Sequence, residues 1–306
     1  MRKTMRCFKL RTGKSQVYQL EKEIYEQKTQ LRKPYVEIEK DKPARYFAVC
    51  PACDNPIQII GLYSKGDNSP SVYGKHYDKS IKIAEYNKQM YYFCPYASHK
   101  YAVTKDSRKT NLTDYERNIC NTLRENFDIA VKIIEQDTGL YISDKMARRM
   151  LINFWSAEGH MYYWATLYNI PWLLLFFSPD VRCRFICVKE NSPLYDFLSR
   201  RKEVKFTDAF GDYKRIDSAN EKYLNLQYSV LGHKRTIVND RLQETMSMNF
   251  FKVVNGLPKV LYSFQVNINE YRFLNWICSE DAKKYRNNPR NQRLLQIAAE
   301  ELPELP

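Results

Sequence analysis

Two short cysteine-bearing segments constrain this chain more than any other feature. Cys50-Pro51-Ala52-Cys53 is followed, much further on, by Cys94-Pro95-Tyr96-Ala97-Ser98-His99. Two residues between cysteines let one tight turn present both thiolates to a single ion, and a second pair of donors completes a tetrahedral shell. A β-like run precedes each segment (Arg45–Val49 and Met90–Phe93), and proline follows the first cysteine of each. This is the build of a zinc knuckle facing a second half-site. The pattern predicts zinc held by Cys50, Cys53, Cys94 and His99, with His76 as the alternative fourth ligand. Four protein ligands make the ion structural; only three would reopen a catalytic position.

The surroundings need such a staple. Residues 45–101 are rich in Tyr, Pro, Lys and Cys, carry turn signals such as Asn55-Pro56 and Lys65-Gly66-Asp67-Asn68, and lack apolar periodicity. Other uses of a C-x-x-C pair fit less well. A redox dithiol places its second cysteine at a helix start, and Asp54-Asn55-Pro56 does not begin a helix well. A zinc deaminase needs H-x-E upstream of P-C-x-x-C, but no histidine precedes His76 and Val49 stands where the proline belongs. A disulfide calls for a secreted chain, whereas Lys9, Arg11 and Lys14 interrupt any apolar signal region. The expected compartment is the cytoplasm. Of the other cysteines, Cys120, Cys183, Cys187 and Cys278 read as buried small hydrophobes.

Charge is distributed unevenly. Of 49 basic and 35 acidic residues, 22 basic and 11 acidic ones fall in residues 1–110, while residues 111–180 carry 6 and 9. A localised basic field attracts polyanions through counterion release. Within it, tyrosines from Tyr73 to Tyr101 alternate with Lys75, Lys79, Lys82, Lys88 and Lys100. Tyrosine faces stack on unpaired bases while lysines follow the backbone, so Lys75, Tyr77, Lys79, Lys82, Lys88 and Lys100 are the candidate nucleic-acid contacts. The competing reading makes the tyrosines a small core around the metal and turns the lysines out to water. Arg148-Arg149, Arg200-Arg201-Lys202 and Lys234-Arg235, the last expected in a strand-to-strand turn, are secondary basic clusters.

Beyond residue 110 the texture changes. Thr113-Asp-Tyr-Glu116 is a capping box, and Ile119, Leu123, Phe127, Val131 and Ile134 continue one helical face to a stop at Gly139. Ser143-Asp144 opens a second helix, expected to run to about Tyr168, so 114–168 reads as an antiparallel helical hairpin. Gly159 to Pro179 contains no charged side chain, but His160, Asn169 and Pro171 interrupt it and arginines flank both ends. A buried helix followed by buried strands (Trp172–Phe177, Arg184–Val188) explains that run better than a membrane span. Alternating runs follow, with Asn255-Gly256 as a hairpin turn, and two helices close the chain from Glu270 and from Pro289. The expected fold is α+β: a basic zinc-knuckle module over 1–110, then an α+β domain over 111–306 containing the hairpin and an antiparallel sheet.

Glycine loops that cradle nucleotide phosphates are excluded. Nine glycines give no G-x-G-x-x-G, and Asp67 follows the Gly61–Gly66 pair where a P-loop needs lysine. Pro179-Asp180 with Glu203-Val204-Lys205 has the outline of a metal-dependent nuclease, in which two carboxylates hold Mg²⁺ and the lysine supports the attacking water. The sequence therefore favours a non-enzymatic nucleic-acid-binding protein. The nuclease built on Asp180, Glu203 and Lys205 is the alternative, as is a structural subunit whose tyrosine-rich surface meets a protein partner.

Overall fold

A computed structural model of the protein describes residues 4–13, 16–64, 71–97, 103–220, 224–269 and 272–306. The chain divides into two compact units, residues 1–109 with 235–244, and residues 110–234 with 245–306. Every strand pairing described is antiparallel.

In the first unit, β1 (Cys7–Phe8) pairs with β2 (Tyr18–Gln19), and α1 (Lys22–Thr29) follows. The polar stretch between Gln16 and Leu31 thus holds a short strand followed by a short helix. Strands β3 (Val36–Glu37), β4 (Arg45–Val49), β5 (Pro56–Ile60) and β6 (Tyr73–His76) form a sheet in that order, and α2 covers Lys88–Tyr92. Met90–Phe93, expected to be β-like, is therefore largely helical: Asn87 caps it by accepting the Met90 N–H at 3.0 Å. The unit builds more core than its sequence promised. Phe8, Tyr25, Phe47 and Ile57 are fully buried, and the Tyr25 hydroxyl donates to the Phe47 and Tyr35 carbonyls at 2.8 and 2.9 Å. Lys9 and Val49 exchange both backbone hydrogen bonds at 2.9 Å, which fastens the amino-terminal segment to β4.

In the second unit, α3 (Asp114–Glu125) starts at the expected capping box, but the chain breaks at Asn126 before α4 (Phe127–Thr138). The Asn126 side chain donates to the Thr122 carbonyl at 2.9 Å, competing with the helix's own ladder. Gly139 caps α4 with φ +73°, and an added Cβ there would meet the Ser192 Oγ at 2.6 Å, so glycine is required. Helix α5 (Asp144–Ser156) stops twelve residues short of Tyr168, where Glu158 takes φ +47° and a 3₁₀ turn (Gly159–Met161) follows. The two long helices do not simply pair as a hairpin. Both α4 and α5 pack on α6 (Ile170–Phe176) and on α10 (Pro289–Glu301).

Helix α6 corrects a second expectation, because Trp172–Phe176 is helical and not a strand. Pro171 sits in the first turn of this helix, where its missing N–H costs nothing, and all seven residues are buried. A run buried on every side carries no periodicity to separate helix from strand. No helix among the described residues is long and apolar enough to cross a membrane.

Of the expected strand Arg184–Val188 only the end is extended, as β8 (Cys187–Lys189), with β7 (Val181–Arg182) just before it, and α7 (Pro193–Ser199) starts at Ser192 as its cap. β9 (Val204–Phe210) and β10 (Tyr213–Ser218) join β8 in the order β8-β10-β9. β11 (Gln227–Val238), β12 (Arg241–Val254) and β13 (Leu257–Asn267) form a sheet with β7 in the order β13-β12-β11-β7. Asn255 and Gly256 both have positive φ, which gives the expected hairpin turn between β12 and β13. Lys234-Arg235 is no turn: it lies inside β11, and Asn239-Asp240 makes the reversal with φ of +49° and +61°. Among the described residues three helices close the chain, α8 (Arg272–Ile277), α9 (Glu280–Arg286) and α10, the last capped by Asn288.

Candidate metal centre

The C-x-x-C turn forms where β4 ends. The Cys50 N–H donates to the Asn55 carbonyl at 2.8 Å and the Asp54 N–H to the Cys50 carbonyl at 3.1 Å. Closing the loop requires φ +57° at Asp54, a left-handed conformation that aspartate tolerates better than most residues. The Asp54 carboxylate is ion-paired with Lys9, which is itself only 4% exposed. Immediately after the turn, β5 pairs with β6 in the register Ile57↔His76, and the Tyr77 N–H donates to the Pro56 carbonyl at 2.9 Å. This register delivers His76 to the base of the turn. The third segment arrives from α2: the Cys94 N–H donates to the Tyr91 carbonyl at 3.1 Å, and the Tyr96 hydroxyl anchors the following turn on the Asp240 carbonyl at 2.9 Å.

The ligand atoms of Cys50, Cys53, His76 and Cys94 all lie within 4.8 Å of one another, and the group could hold a metal ion. The Cys50 and Cys94 sulfurs are 3.7 Å apart, and the Cys53 sulfur lies 3.3 Å from His76 Nε2. The three cysteines are buried and free, while His76 is half-buried with its ring edge-on to Tyr91 at 4.9 Å. Burial and crowding by neighbouring thiols push the Cys50 and Cys94 thiols well up. Cys53 goes the other way: although burial opposes it, hydrogen bonds from Cys50 and Cys94 and the adjacent His76 pull its thiol well down. Three thiols packed together cannot all ionise in an apolar pocket without a cation among them.

The structure therefore brings together three of the four predicted ligands with the alternative histidine. His99 lies outside the described residues, as does Lys100. Asn55 was not foreseen. It is fully buried, its Nδ2 donates to the Cys53 sulfur at 3.3 Å, and its Oδ1 accepts the Asn87 N–H at 2.6 Å. No spacing rule marks such a residue, since its role depends on β5 and α2 meeting in space.

Lys75, Lys79, Lys82 and Lys88 are exposed and form no ion pair among the described residues. Lys75 directly precedes His76 on β6, and the Lys88 ammonium lies 5.9 Å from the Tyr92 ring. Tyr77 is half-buried against Phe47 at 5.1 Å, and Tyr96 is buried, so these two tyrosines serve the core. Tyr86, Tyr91 and Tyr92 make a partly exposed run of ring contacts.

The residues of the nuclease outline lie as follows. Asp180 is exposed and borders a cleft in the second unit, whereas Glu203 and Lys205 are not among that cleft's lining residues. Glu203 is held by Lys252 at 2.5 Å and Arg201 at 3.2 Å, and Lys205 stands opposite Asp217 between β9 and β10. Among the remaining cysteines, Cys120 and Cys183 are buried as expected, but Cys278 is exposed. No family model, curated protein or solved structure matches the chain.

Proposed function

We propose that this is a zinc protein of the cytoplasm that binds nucleic acid through its first unit without catalysing a reaction. The observation carrying the zinc half is the ligand geometry. Tetrahedral zinc with bonds of about 2.3 Å to sulfur holds two thiolates about 3.8 Å apart, close to the Cys50–Cys94 separation of 3.7 Å. Three soft thiolates and one imidazole favour zinc over hard cations such as magnesium or calcium. Four protein donors leave no position for a reacting water, so the ion's work is to hold β4, β6 and α2 together. Eight cysteines without a disulfide suit a reducing compartment.

Nucleic-acid binding draws its support from the unpaired lysines beside that centre. Lys75, Lys79, Lys82 and Lys88 supply a field for phosphates, and the ring faces of Tyr86, Tyr91 and Tyr92 supply surfaces on which unpaired bases stack. The test is fluorescence-polarisation binding of the zinc-loaded protein to single- and double-stranded DNA and RNA across a salt series. Binding with a steep negative salt slope, shallower in Lys75→Ala/Lys82→Ala, is the expected result. Absence of binding at low salt would overturn it and leave a protein-assembly role for the tyrosine-rich face.

A further inference from the structure

The second unit contains a cleft of about 690 Å³, a size that suits a ligand of nucleotide dimensions. Its walls are α5, the chain from Ser178 to Cys187, and Arg215 on β10. Five cations line it (Lys145, Arg149, Arg182, Arg184 and Arg215) against one carboxylate, Asp180. The excess is selective. Elsewhere in this unit arginines meet acids: Arg148 pairs with Glu300 and Glu301, Arg272 with Asp137, Arg286 with Asp128, and Arg290 with Glu135. In the cleft, Lys145, Arg149 and Arg215 are exposed and have no ion-pair partner among the described residues. Lys145 and Arg149 stand four apart on one helix face, an arrangement of like charges that is mildly unfavourable until an anion is placed between them.

A second, independent feature lies at the same cleft. Phe185 is 60% exposed and holds φ +71°, a conformation that a bulky side chain adopts only at a cost. The backbone is pinned there: the Phe185 N–H donates to the Ile216 carbonyl at 2.7 Å, and the Ile216 N–H donates to the Ile186 carbonyl at 2.9 Å. Arg184, whose charge is met by Asp217 at 2.8 Å, lays its guanidinium 4.6 Å from the Phe185 ring. An aromatic ring is thus presented to solvent, backed by a cation, at the rim of a basic cleft.

We infer that this cleft binds a nucleotide, its phosphate held by Arg149, Arg215 and Lys145 and its base stacked on Phe185. The ligand chemistry is phosphate plus base, whether in a free nucleotide or in a single strand. The inference stands apart from the metal centre and from the lysines of the first unit.

The test uses the full-length protein carrying Lys75→Ala/Lys82→Ala, so that binding at the first unit does not mask the cleft. Titrations with AMP, inorganic phosphate and a short fluorescent oligothymidylate are followed by calorimetry or polarisation. Binding of AMP or of the oligothymidylate that weakens at least tenfold in Arg149→Glu/Arg215→Glu is the expected result. AMP binding points to a free nucleotide, and binding of the oligothymidylate alone points to a strand. Phe185→Gly removes the ring and relaxes the backbone, so affinity for AMP should fall to that for phosphate with no loss of thermal stability. Failure of both AMP and the oligothymidylate to bind, or affinities unchanged in Arg149→Glu/Arg215→Glu, would overturn the inference. Neither outcome touches the lysine reading of the first unit, which is measured on the wild-type protein and its Lys75→Ala/Lys82→Ala variant.

Discussion

The Asn55 amide donates to the Cys53 sulfur at 3.3 Å while its carbonyl oxygen receives the Asn87 N–H at 2.6 Å. One buried side chain thus orients a candidate ligand sulfur and secures the start of the helix that leads to Cys94. A hydrogen bond to a thiolate stabilises its charged form and fixes its direction. Asn55→Ala should weaken metal affinity roughly 10- to 100-fold, the usual cost of losing such an orienting partner. Competition against a chromophoric chelator measures it, and unchanged affinity would show that Asn55 only fills space.

The choice between histidines is equally exposed. The register Ile57↔His76 places His76 Nε2 beside Cys53, so Cys50, Cys53, Cys94 and His76 already offer four donors. His76→Ala should lower metal affinity by well over roughly tenfold, and His99→Ala should leave it unchanged. Cobalt substitution reads the same point optically. The native set should give tetrahedral bands with strong thiolate charge transfer, and His76→Ala should perturb them.

How much of this was legible in the sequence follows from what each residue's role depends on. Cys50, Cys53 and Cys94 were readable because their spacing is local and chemically narrow. The histidine was not, because spacing left His76 and His99 both open, and it is the pairing of β5 with β6 that brings His76 to the cysteines. The same distinction holds elsewhere. Asn255-Gly256 announced its turn through two residues suited to positive φ, and Asn288-Pro289 its helix, whereas the apolar run at Trp172–Phe176 is buried on all sides and carried no period. Charge counting pointed to the first third of the chain. It missed the basic cleft, because residues 111–180 are net acidic and only the fold shows which of their cations meet an acid, as Arg148 does, and which, such as Lys145 and Arg149, do not.

Behind the C-x-x-C turn, Lys9 meets Asp54 with Lys9 almost wholly buried. Removing one partner of a buried pair strands the other charge. Lys9→Ala should therefore destabilise the first unit by about 3 kcal/mol, measured by denaturant unfolding. Lys9→Met with Asp54→Asn should recover most of that loss. Equal stability of Lys9→Ala and wild type would mean the pair is solvated in solution.

Asp128 gives the opposite sign. It is fully buried, and burial pushes its carboxyl up, while Arg286 at 3.5 Å opposes the shift only in part. The folded protein then keeps the proton to higher pH than the unfolded chain does. Stability falls as pH rises from the unfolded value through the folded one, and the loss is complete above it. Asp128→Asn should raise the melting temperature at neutral pH and leave it unchanged below the ordinary aspartate range. An equal change at both pH values would contradict this.

Elemental analysis of the purified protein tests the candidate metal centre at Cys50, Cys53, His76 and Cys94 most directly. One zinc per chain is expected, absent from Cys50→Ser/Cys94→Ser, with loss of folded structure in the first unit when the ion is chelated. A metal-free preparation that keeps that unit folded, or zinc retained in the double variant, would contradict it.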